Sequence, residues 1–579
     1  MKAGQEMMKQ KQLPDHRKKL QLGKKIYLLA GLVVFMFCLP ALSFAQQGDK
    51  KNLGDDKVEV VKPYKPVLVE SFKIPENPVG DTTTSNPPSF EYNLRAKKAE
   101  TEFETSVIRA VNIKDEQLAK LYRTYLKLGI GNYTTYSGDL YVNALRSKKG
   151  ALGFQLNHFS GSPGLDDVGF AGFSNNHGGV YGKYFFDHTT FEGSADYNRD
   201  VFHYYGYDAD KVILSKDDIK QRFNKFGMQM AFGSNYLTRD HIDYSVGFGF
   251  RTLNDLYDVT ESDLMISGNV GRKISDYDVK VDASFNYFKK SLAKDELLTL
   301  NNDLNRSLVN LTPTLSFRKD KLNLTLGFNA GIEKNLGTKV HFFPRIDLNV
   351  PMVENILYVF AGVNGRVKKN SYQTIVEENP YVMPSVDPFN TIEKLSLSGG
   401  LRGNFSTLFS FVAMVKYTSI DRLLLYYKDV NAFNQFNVLY ADGNVLNLHG
   451  ELAYKSKSNF TASLRFDQYS YSLDGGEKAW NRPNTEVALN MTYSLWEKII
   501  LKGDVYAFGK YDARLQQGNG FSSVKVSGYM DASLGFEYRY SKVLSFFINM
   551  NNLGFSRHYY WHEYPSERLN VLGGITFSM

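Results

Sequence analysis

The chain has 579 residues, a formal net charge of +8, 14% aromatic residues and 47 glycines. Residues 1–45 contain eight Lys and Arg but only two Asp and Glu, so they hold most of this charge; the remainder is nearly neutral, which excludes a nucleic-acid partner. Mean hydropathy is negative, and beyond the N-terminal apolar run no stretch is apolar enough for a membrane-spanning helix.

Residues 1–45 form a predicted signal peptide. Four lysines precede the apolar run "IYLLAGLVVFMFCLPALSF", and "SFAQQG" supplies small residues for cleavage after Ala45. A membrane anchor is the alternative, but Pro40 near the end of the run favours cleavage. The only cysteine, Cys38, lies within this run, so the mature chain has no disulfide bond.

Residues 46–118 differ from the rest of the chain and predict an extended periplasmic or lumenal segment. They begin with the charged stretch "QQGDKKNLGDDK" and continue with the Pro-punctuated, apolar "VEVVKPYKPVLVESFKIP". Pro restricts both its own backbone and that of the preceding residue, which favours extended structure here.

From residue 119 to residue 579 the chain alternates apolar and polar residues, which predicts strands. In "HIDYSVGFGFR", residues 241–251, the apolar set alternates with Asp, Ser, Gly and Arg, and "VKVDASFNY" and "KLSLSGGLRGNF" repeat the pattern. Nine or more residues match the tilted span of a bilayer by one strand. We therefore predict an all-β fold, a transmembrane antiparallel β-barrel.

We count 22 strands and accept any even number from 16 to 22. Two stretches are ambiguous: residues 119–150, where three strands would need very tight turns, and residues 420–445, where "RLLLYYKDV" is either a strand or a loop. A soluble β-sandwich array or propeller is the alternative, but the repeats of 40 to 50 residues that such folds contain are missing.

Short turns alternate with long loops along the barrel region, as in outer-membrane barrels with periplasmic turns and outer loops. This parity places both termini in the periplasm. The last strand, residues 569–579, would close the barrel against the first, around Tyr125 to Thr135. Phe577 resembles the terminal aromatic that the outer-membrane assembly machinery recognises for insertion, and a lipid-facing aromatic is the alternative.

The polar face of the strands would line the lumen and tune selectivity for a solute. Its charged members are Asp243, Arg251, Lys280, Asp282, Lys394, Arg402, Glu486, Lys502, Asp504, Glu537 and Arg539.

Two aromatic loops are candidates for stacking on sugars or flat ligands. They are residues 555–567 and residues 372–389. An interfacial aromatic girdle is the interpretation that we favour. His558, His562 and Glu563 lack the order of a known metal motif, so we predict no metal, no cofactor and no enzymatic activity.

The strand number resembles that of TonB-dependent receptors, and "KVEVVKP" resembles their short TonB box, here Val58, Glu59, Val60 and Val61. Such a box adds a strand to a periplasmic partner; a strand in the lumen or at its mouth is the alternative. The resemblance implies solute uptake linked to TonB. Residues 46–118 are too few for the full plug of those receptors, which implies a plugless or partly plugged relative.

The sequence thus predicts an integral protein of the bacterial outer membrane, a channel or receptor for uptake of an unknown solute. The alternative is a structural or assembly scaffold that docks partner lipoproteins. The expected partners are outer-membrane lipids, the assembly machinery, and either TonB or a surface lipoprotein.

Overall fold

A computed structural model describes residues 122–579 except 145–146, 237–240, 293–302, 320, 336, 430–433, 457–458 and 518–519. All described residues belong to one compact unit, Ile113–Met579. The predicted signal peptide, the segment 46–118 and its possible TonB box, Val58–Val61, lie outside the described residues, so these predictions stay untested.

Nearly all of the regular structure is β-strand. The elements in chain order are β1 (Thr124–Gly131), β2 (Thr135–Asn143), β3 (Gly150–Gly161), β4 (Phe173–Phe185), β5 (Thr189–His203), β6 (Lys220–Ser234), β7 (Asp243–Asn254), β8 (Thr260–Ile274), β9 (Tyr277–Ser291), β10 (Leu304–Lys319), β11 (Leu322–Lys334), β12 (Thr338–Val353), β13 (Leu357–Lys368), the helix α1 (Tyr372–Glu378), β14 (Thr391–Asn404), β15 (Phe409–Asp429), β16 (Phe436–Lys455), β17 (Phe460–Leu473), a 3₁₀ turn (Asp474–Gly476), β18 (Thr485–Leu495), β19 (Ile499–Phe508), β20 (Tyr511–Gln517), β21 (Gly520–Val526), β22 (Tyr529–Arg539), β23 (Leu544–Asn551), β24 (Tyr559–Trp561), β25 (Tyr564–Pro565) and β26 (Asn570–Ser578).

Twenty-two of these strands close into an antiparallel barrel, as the strand count predicts. Strands β1 to β19 pair in order, β19 then pairs with β22, and β22, β23 and β26 complete the ring against β1. The closing register runs from Tyr125 opposite Ser578 to Gly131 opposite Leu572. Closure leaves no unpaired edge in the barrel wall, which a bilayer could not satisfy with hydrogen bonds.

The closing seam depends on a close backbone approach at Gly574. A Cβ atom at this position would lie 2.0 Å from the carbonyl oxygen of Leu128 on the neighbouring strand. A glycine is therefore required where the last strand meets the first. The apolar set of this strand points outward, since Ile575 and Phe577 are exposed while Thr576 is buried.

The structure resolves both ambiguous stretches. Residues 119–150 hold two strands and the first residue of a third, and β1 ends at Gly131 rather than near Thr135, because a turn with positive φ at Tyr133 and Thr134 follows it. "RLLLYYKDV" continues β15, a strand of 21 residues with a bulge between Ile420 and Leu423.

The loops divide by length between the two ends of the barrel. The end that carries Thr124 and Met579, here the terminal end, has short turns such as residues 275–276 and 496–498. The opposite end, the loop end, carries the long connections and the β20–β21 hairpin. The longest connections therefore lie at the loop end, although its connections at residues 132–134 and 255–259 are short. The orientation of the two ends in a membrane stays a prediction. Among the described residues, no helix is long and apolar enough to cross a membrane.

A cap loop and an aromatic loop at the loop end

The connection between β13 and β14, residues 369–390, folds back over the loop end, and we call it the cap loop. It contains α1, which begins with a capping box formed by Ser371 and Thr374. The cap is reinforced from the barrel wall, where the Glu261 carboxylate accepts hydrogen bonds from the backbone N–H groups of Tyr372 (2.6 Å) and Gln373 (3.0 Å). A carboxylate is favourable at this position because helix N-termini leave N–H groups unpaired.

One side of the cap loop is anchored to β7, β8 and β9. The Tyr372 hydroxyl donates to the Asp255 carboxylate (2.9 Å), and the Lys290 ammonium donates to the carbonyl of Pro384 (2.8 Å) and to that of Val386. Lys369 forms an ion pair with Asp263. Lys290 and Asp263 lie on the polar face of β9 and β8, so that face is turned toward the cap loop and the lumen, while Asp255 lies in the loop after β7.

The other side of the cap loop is anchored to β16 and the loop that follows β17. The backbone of Met383 donates to the Phe436 carbonyl (2.8 Å), and the backbone of Phe436 donates to the Tyr381 carbonyl (2.9 Å). Arg482 donates to Glu378 at the end of α1 (3.0 Å). The cap loop thus spans the opening of the loop end, since its anchors lie on both sides of its own strands.

The connection between β23 and β26, residues 552–569, packs against the cap loop, and we call it the aromatic loop. The rings of Tyr381 and Tyr564 stack with centroids 3.8 Å apart, and the Tyr205 hydroxyl donates to the Pro565 carbonyl (3.2 Å). Trp561 packs against Tyr426 (5.0 Å) and Phe436 (5.5 Å). The largest apolar cluster of the described residues lies at this junction and includes side chains of the wall strands that meet it.

These positions correct the girdle interpretation of the two aromatic loops. Tyr372, Trp561 and Tyr564 are 0%, 6% and 3% exposed, so they do not face lipid. Phe389 packs on Tyr440 with ring centroids 5.3 Å apart. In the aromatic loop, the exposed aromatic side chains are those of Phe555, Tyr559 and Tyr560.

Burial at this junction shifts the pKa values of loop groups. Burial raises the pKa of Asp255, although the hydrogen bonds from Val259, Tyr372 and Tyr257 oppose the shift. Burial also raises the pKa of Tyr372 well above its usual value, and the adjacent Asp255 charge adds to this. In the aromatic loop, burial lowers the pKa of His558 and the Asp531 carboxylate partly offsets that effect.

The predicted lumen residues are distributed around the wall rather than gathered in one site. Arg251 lies opposite Asp263 in the strand register and shares with it a cavity of about 620 Å³ that the cap loop also lines. Glu486 lines a second, more enclosed cavity of about 240 Å³. The role of these residues in selectivity stays a prediction.

The other predicted lumen residues have local partners. Lys280 pairs with Asp282 (2.8 Å), Lys394 with Asp421 (2.7 Å), Glu537 with Arg539 (3.6 Å), Asp504 with Asn490 (2.6 Å), Asp243 with Ser234 (3.4 Å), Arg402 lies over the Tyr358 ring (5.7 Å), and Lys502 stands between Thr492 and Gly535 in the register.

The residues that organise the loop end were not identified from the sequence. Glu261, Lys290, Glu378 and Arg482 belong to strands and loops far apart in the chain, and only the closed ring brings them together. The one available signal was the helix-capping pattern at Ser371 inside an otherwise strand-rich sequence.

The histidines of the aromatic loop each lie near one carboxylate. His562 Nε2 lies 3.8 Å from Glu563 Oε1, and His558 Nε2 lies 4.0 Å from Asp531 Oδ2. Within the described part of the chain, no group of three or more His, Cys, Asp or Glu is placed to hold a metal ion.

No family model and no curated protein matches this chain. Solved structures do match over about four-fifths of it. The siderophore receptor PirA from Acinetobacter baumannii is similar at TM-score 0.61 and 9% identity, covering 80% of this chain and 81% of that chain.

Two further structures are similar to the same extent. The FrpB iron transporter from Neisseria meningitidis has TM-score 0.60 and 11% identity, covering 80% and 82% of the two chains. The ferric enterobactin receptor PfeA from Pseudomonas aeruginosa has TM-score 0.58 and 11% identity, covering 80% and 81%. These proteins are TonB-dependent receptors, so the chain has the barrel fold of that class, and at this identity the likeness is one of fold.

Proposed function

We propose that this chain, with the 22-stranded barrel fold of TonB-dependent receptors, is an integral outer-membrane receptor or channel for uptake of a solute. The observation that carries the proposal is a closed barrel whose loop end is spanned by an anchored cap loop. Barrels of this size have a wide lumen that receptors of known function obstruct with protein. A wall with an apolar outer face and an obstructed polar lumen suits controlled passage better than mechanical support.

The proposal places the loop end outside the cell and both termini in the periplasm. In outer-membrane barrels the short turns are periplasmic and the long loops are external. With this orientation the cap loop and the aromatic loop meet the solute first. The charged lumen residues named above would then act on the solute after it has passed the cap loop.

Coupling to TonB is the finer part of the proposal and depends on Val58–Val61. A β-prone segment on the periplasmic side could pair with the sheet edge of a partner. Deletion of residues 57–66 would abolish energised uptake in cells that retain normal amounts of the barrel in the outer membrane. Unchanged uptake after this deletion would remove TonB coupling from the proposal and leave passive passage.

The test of uptake itself is reconstitution of the mature chain into liposomes, with insertion verified by protease protection. We expect small neutral solutes or ions to pass once the cap loop is shortened, and less passage with the complete cap loop. A correctly inserted barrel that passes nothing in either form, and that binds no solute, would contradict an uptake function and favour the scaffold alternative.

A further inference from the structure

The cavity of about 240 Å³ lies between the barrel wall and the two loops, and we call it the tyrosine pocket. Strands β15, β17, β18, β19 and β22 supply its wall, Glu378 of α1 closes one side, and Trp561 closes another. Tyr560 is 60% exposed, so the pocket borders solvent. The aromatic residues that line it are Tyr426, Tyr469, Tyr471, Phe508, Tyr511, Tyr529, Tyr560 and Trp561.

The aromatic rings of the pocket are held by their neighbours rather than by a ligand. Tyr469 and Tyr471 have ring centroids 6.1 Å apart, and Phe508 and Tyr529 have centroids 5.0 Å apart. The Tyr511 hydroxyl donates to the backbone carbonyl of Tyr559 (3.2 Å). Fixed aromatic faces of this kind offer flat apolar surfaces at little cost in side-chain entropy.

Three buried polar atoms at this pocket have no hydrogen-bond partner among the described residues. They are the Tyr426 hydroxyl, Asn481 Oδ1 and Arg482 Nε. Tyr426 is fully buried and Asn481 is 6% exposed. The Tyr426 hydroxyl lies near the Glu378 carboxylate without meeting hydrogen-bond geometry. Buried polar atoms without partners cost free energy, so a molecule in this cavity that reached these three atoms would be stabilised by satisfying them.

The charges and hydrogen-bonding types of the pocket restrict that molecule. Asn481 Oδ1 needs a donor, whereas Arg482 Nε needs an acceptor. The negative charges of Glu378 and Glu486 would repel an anion. A quaternary ammonium ion without a hydroxyl group could neither donate to Asn481 nor accept from Arg482. Hydroxyl groups can do both, and a ring with hydroxyls at its edge and C–H groups on its faces also suits the aromatic walls.

We infer that the tyrosine pocket binds one ring of a neutral polyhydroxylated ligand, a saccharide, at the loop end. This inference rests on the proposed function, since it gives the class of solute. The cavity is smaller than the roughly 300–1,000 Å³ of pockets that enclose drug-sized molecules, which suits a single ring of a longer chain. Arg482 lines the pocket and also donates a hydrogen bond to Glu378 of the cap loop, so it connects the bound ring to the cap loop.

The test is calorimetric titration of the full mature chain in detergent with maltohexaose, mannohexaose and chitotetraose, with tetramethylammonium and citrate as charged probes. We expect saturable binding of at least one neutral oligosaccharide and none of the charged probes. Binding should weaken about three- to tenfold in Tyr426→Phe, which removes one hydroxyl. Tyr493→Phe makes the same chemical change at an exposed position outside the pocket and should bind as the parent does.

Several results would overturn the inference. They are binding of tetramethylammonium in place of sugar, absence of binding by all three oligosaccharides, or equal affinity of the parent and Tyr426→Phe. The outcome is separable from that of the proposed function. Liposome uptake of other solutes without sugar binding would refute only the saccharide site, whereas sugar binding by a barrel that transports nothing would refute only the transport.

Discussion

At the scale of single residues, polar groups from separate strands determine the position of the cap loop. Glu261 is 2% exposed and accepts two N–H groups of α1, and Lys290 is 1% exposed and donates to two carbonyls of the same loop. Each of these contacts leaves a buried unpaired group when its partner is removed, and such groups cost about 1–3 kcal/mol. The cap loop should therefore respond strongly to substitutions in the wall beneath it.

Glu261→Ala is the first prediction at this scale. Without the carboxylate, two N–H groups at the start of α1 lose their acceptors. The free energy needed to open α1 locally should therefore fall by about 1–3 kcal/mol relative to the parent. Hydrogen exchange of the Tyr372 and Gln373 amides should accelerate accordingly, about five- to a hundredfold. Glu192→Ala removes an exposed partner of Lys183 and serves as the matched control, with exchange at α1 unchanged. Equal exchange in Glu261→Ala and the control would disprove the anchoring role.

A second prediction concerns the pH dependence of the aromatic loop. Burial lowers the pKa of His558 from its ordinary value of 6.5, so the packed loop prefers the neutral ring. The resulting stability is complete above 6.5 and declines as the pH falls through this value toward the lower pKa of the packed state. Burial raises the pKa of Glu567 from 4.5, which works in the opposite direction at lower pH.

The difference between the parent and His558→Gln isolates the histidine contribution. Hydrogen exchange of residues 555–567, corrected for intrinsic rates, should increase in the parent between about pH 7.5 and pH 5.5. The increase should be smaller in His558→Gln, because Glu567 is common to both proteins. Identical pH profiles of the two proteins would show that His558 does not control the packing of this loop.

At the scale of elements, the strands and the loops differ in how far the sequence predicts them. Alternation fixed the strands because each one has lipid on one face and the lumen on the other, so a local pattern contains the whole signal. It also indicated the end at which the longest loops lie, although two connections at that end are short. The strand assignment was ambiguous where that two-sided environment changes. An example is β15, whose 21 residues continue past a bulge into the region that contacts the cap loop.

The loop end could not be predicted in the same way. The position of Tyr381 against Tyr564, or of Arg482 against Glu378, depends on contacts between segments more than 100 residues apart that only barrel closure defines. The girdle interpretation is wrong for Tyr372, Trp561 and Tyr564 for this reason, since an aromatic residue in a loop can face lipid, water or another loop. The sequence identified the two aromatic loops as unusual but not that they pack together.

Shortening the cap loop is the prediction that belongs to this scale. Replacement of residues 374–387 by a short Gly-Ser linker removes most of α1 and its anchors, and conductance of the reconstituted barrel in planar bilayers should increase several-fold. Replacement of residues 517–520, between β20 and β21, is the control because these two strands are not members of the 22-strand ring, although β20 also pairs with β15. If both deletions left conductance equal to that of the parent, the cap loop would not obstruct the lumen.

At the scale of the whole molecule, the barrel fold and the proposed function both require that lipid contacts the apolar side of every barrel strand. The chain closes 22 strands without an open edge in the wall, and many large apolar side chains of the wall are exposed. In water such a surface would be an aggregation hazard, and in a bilayer it is the condition for insertion. Fold, proposed transport and the saccharide site all require this environment.

Alternate-residue labelling of β7 tests that claim most directly. In a Cys38→Ser background, single cysteines at Ser245, Val246, Phe248 and Arg251 would be placed in barrels reconstituted into vesicles. A water-soluble, membrane-impermeant maleimide should modify positions 245 and 251 and spare positions 246 and 248, which a lipid-soluble reagent should modify instead. Equal modification of all four positions by the water-soluble reagent would contradict a transmembrane wall.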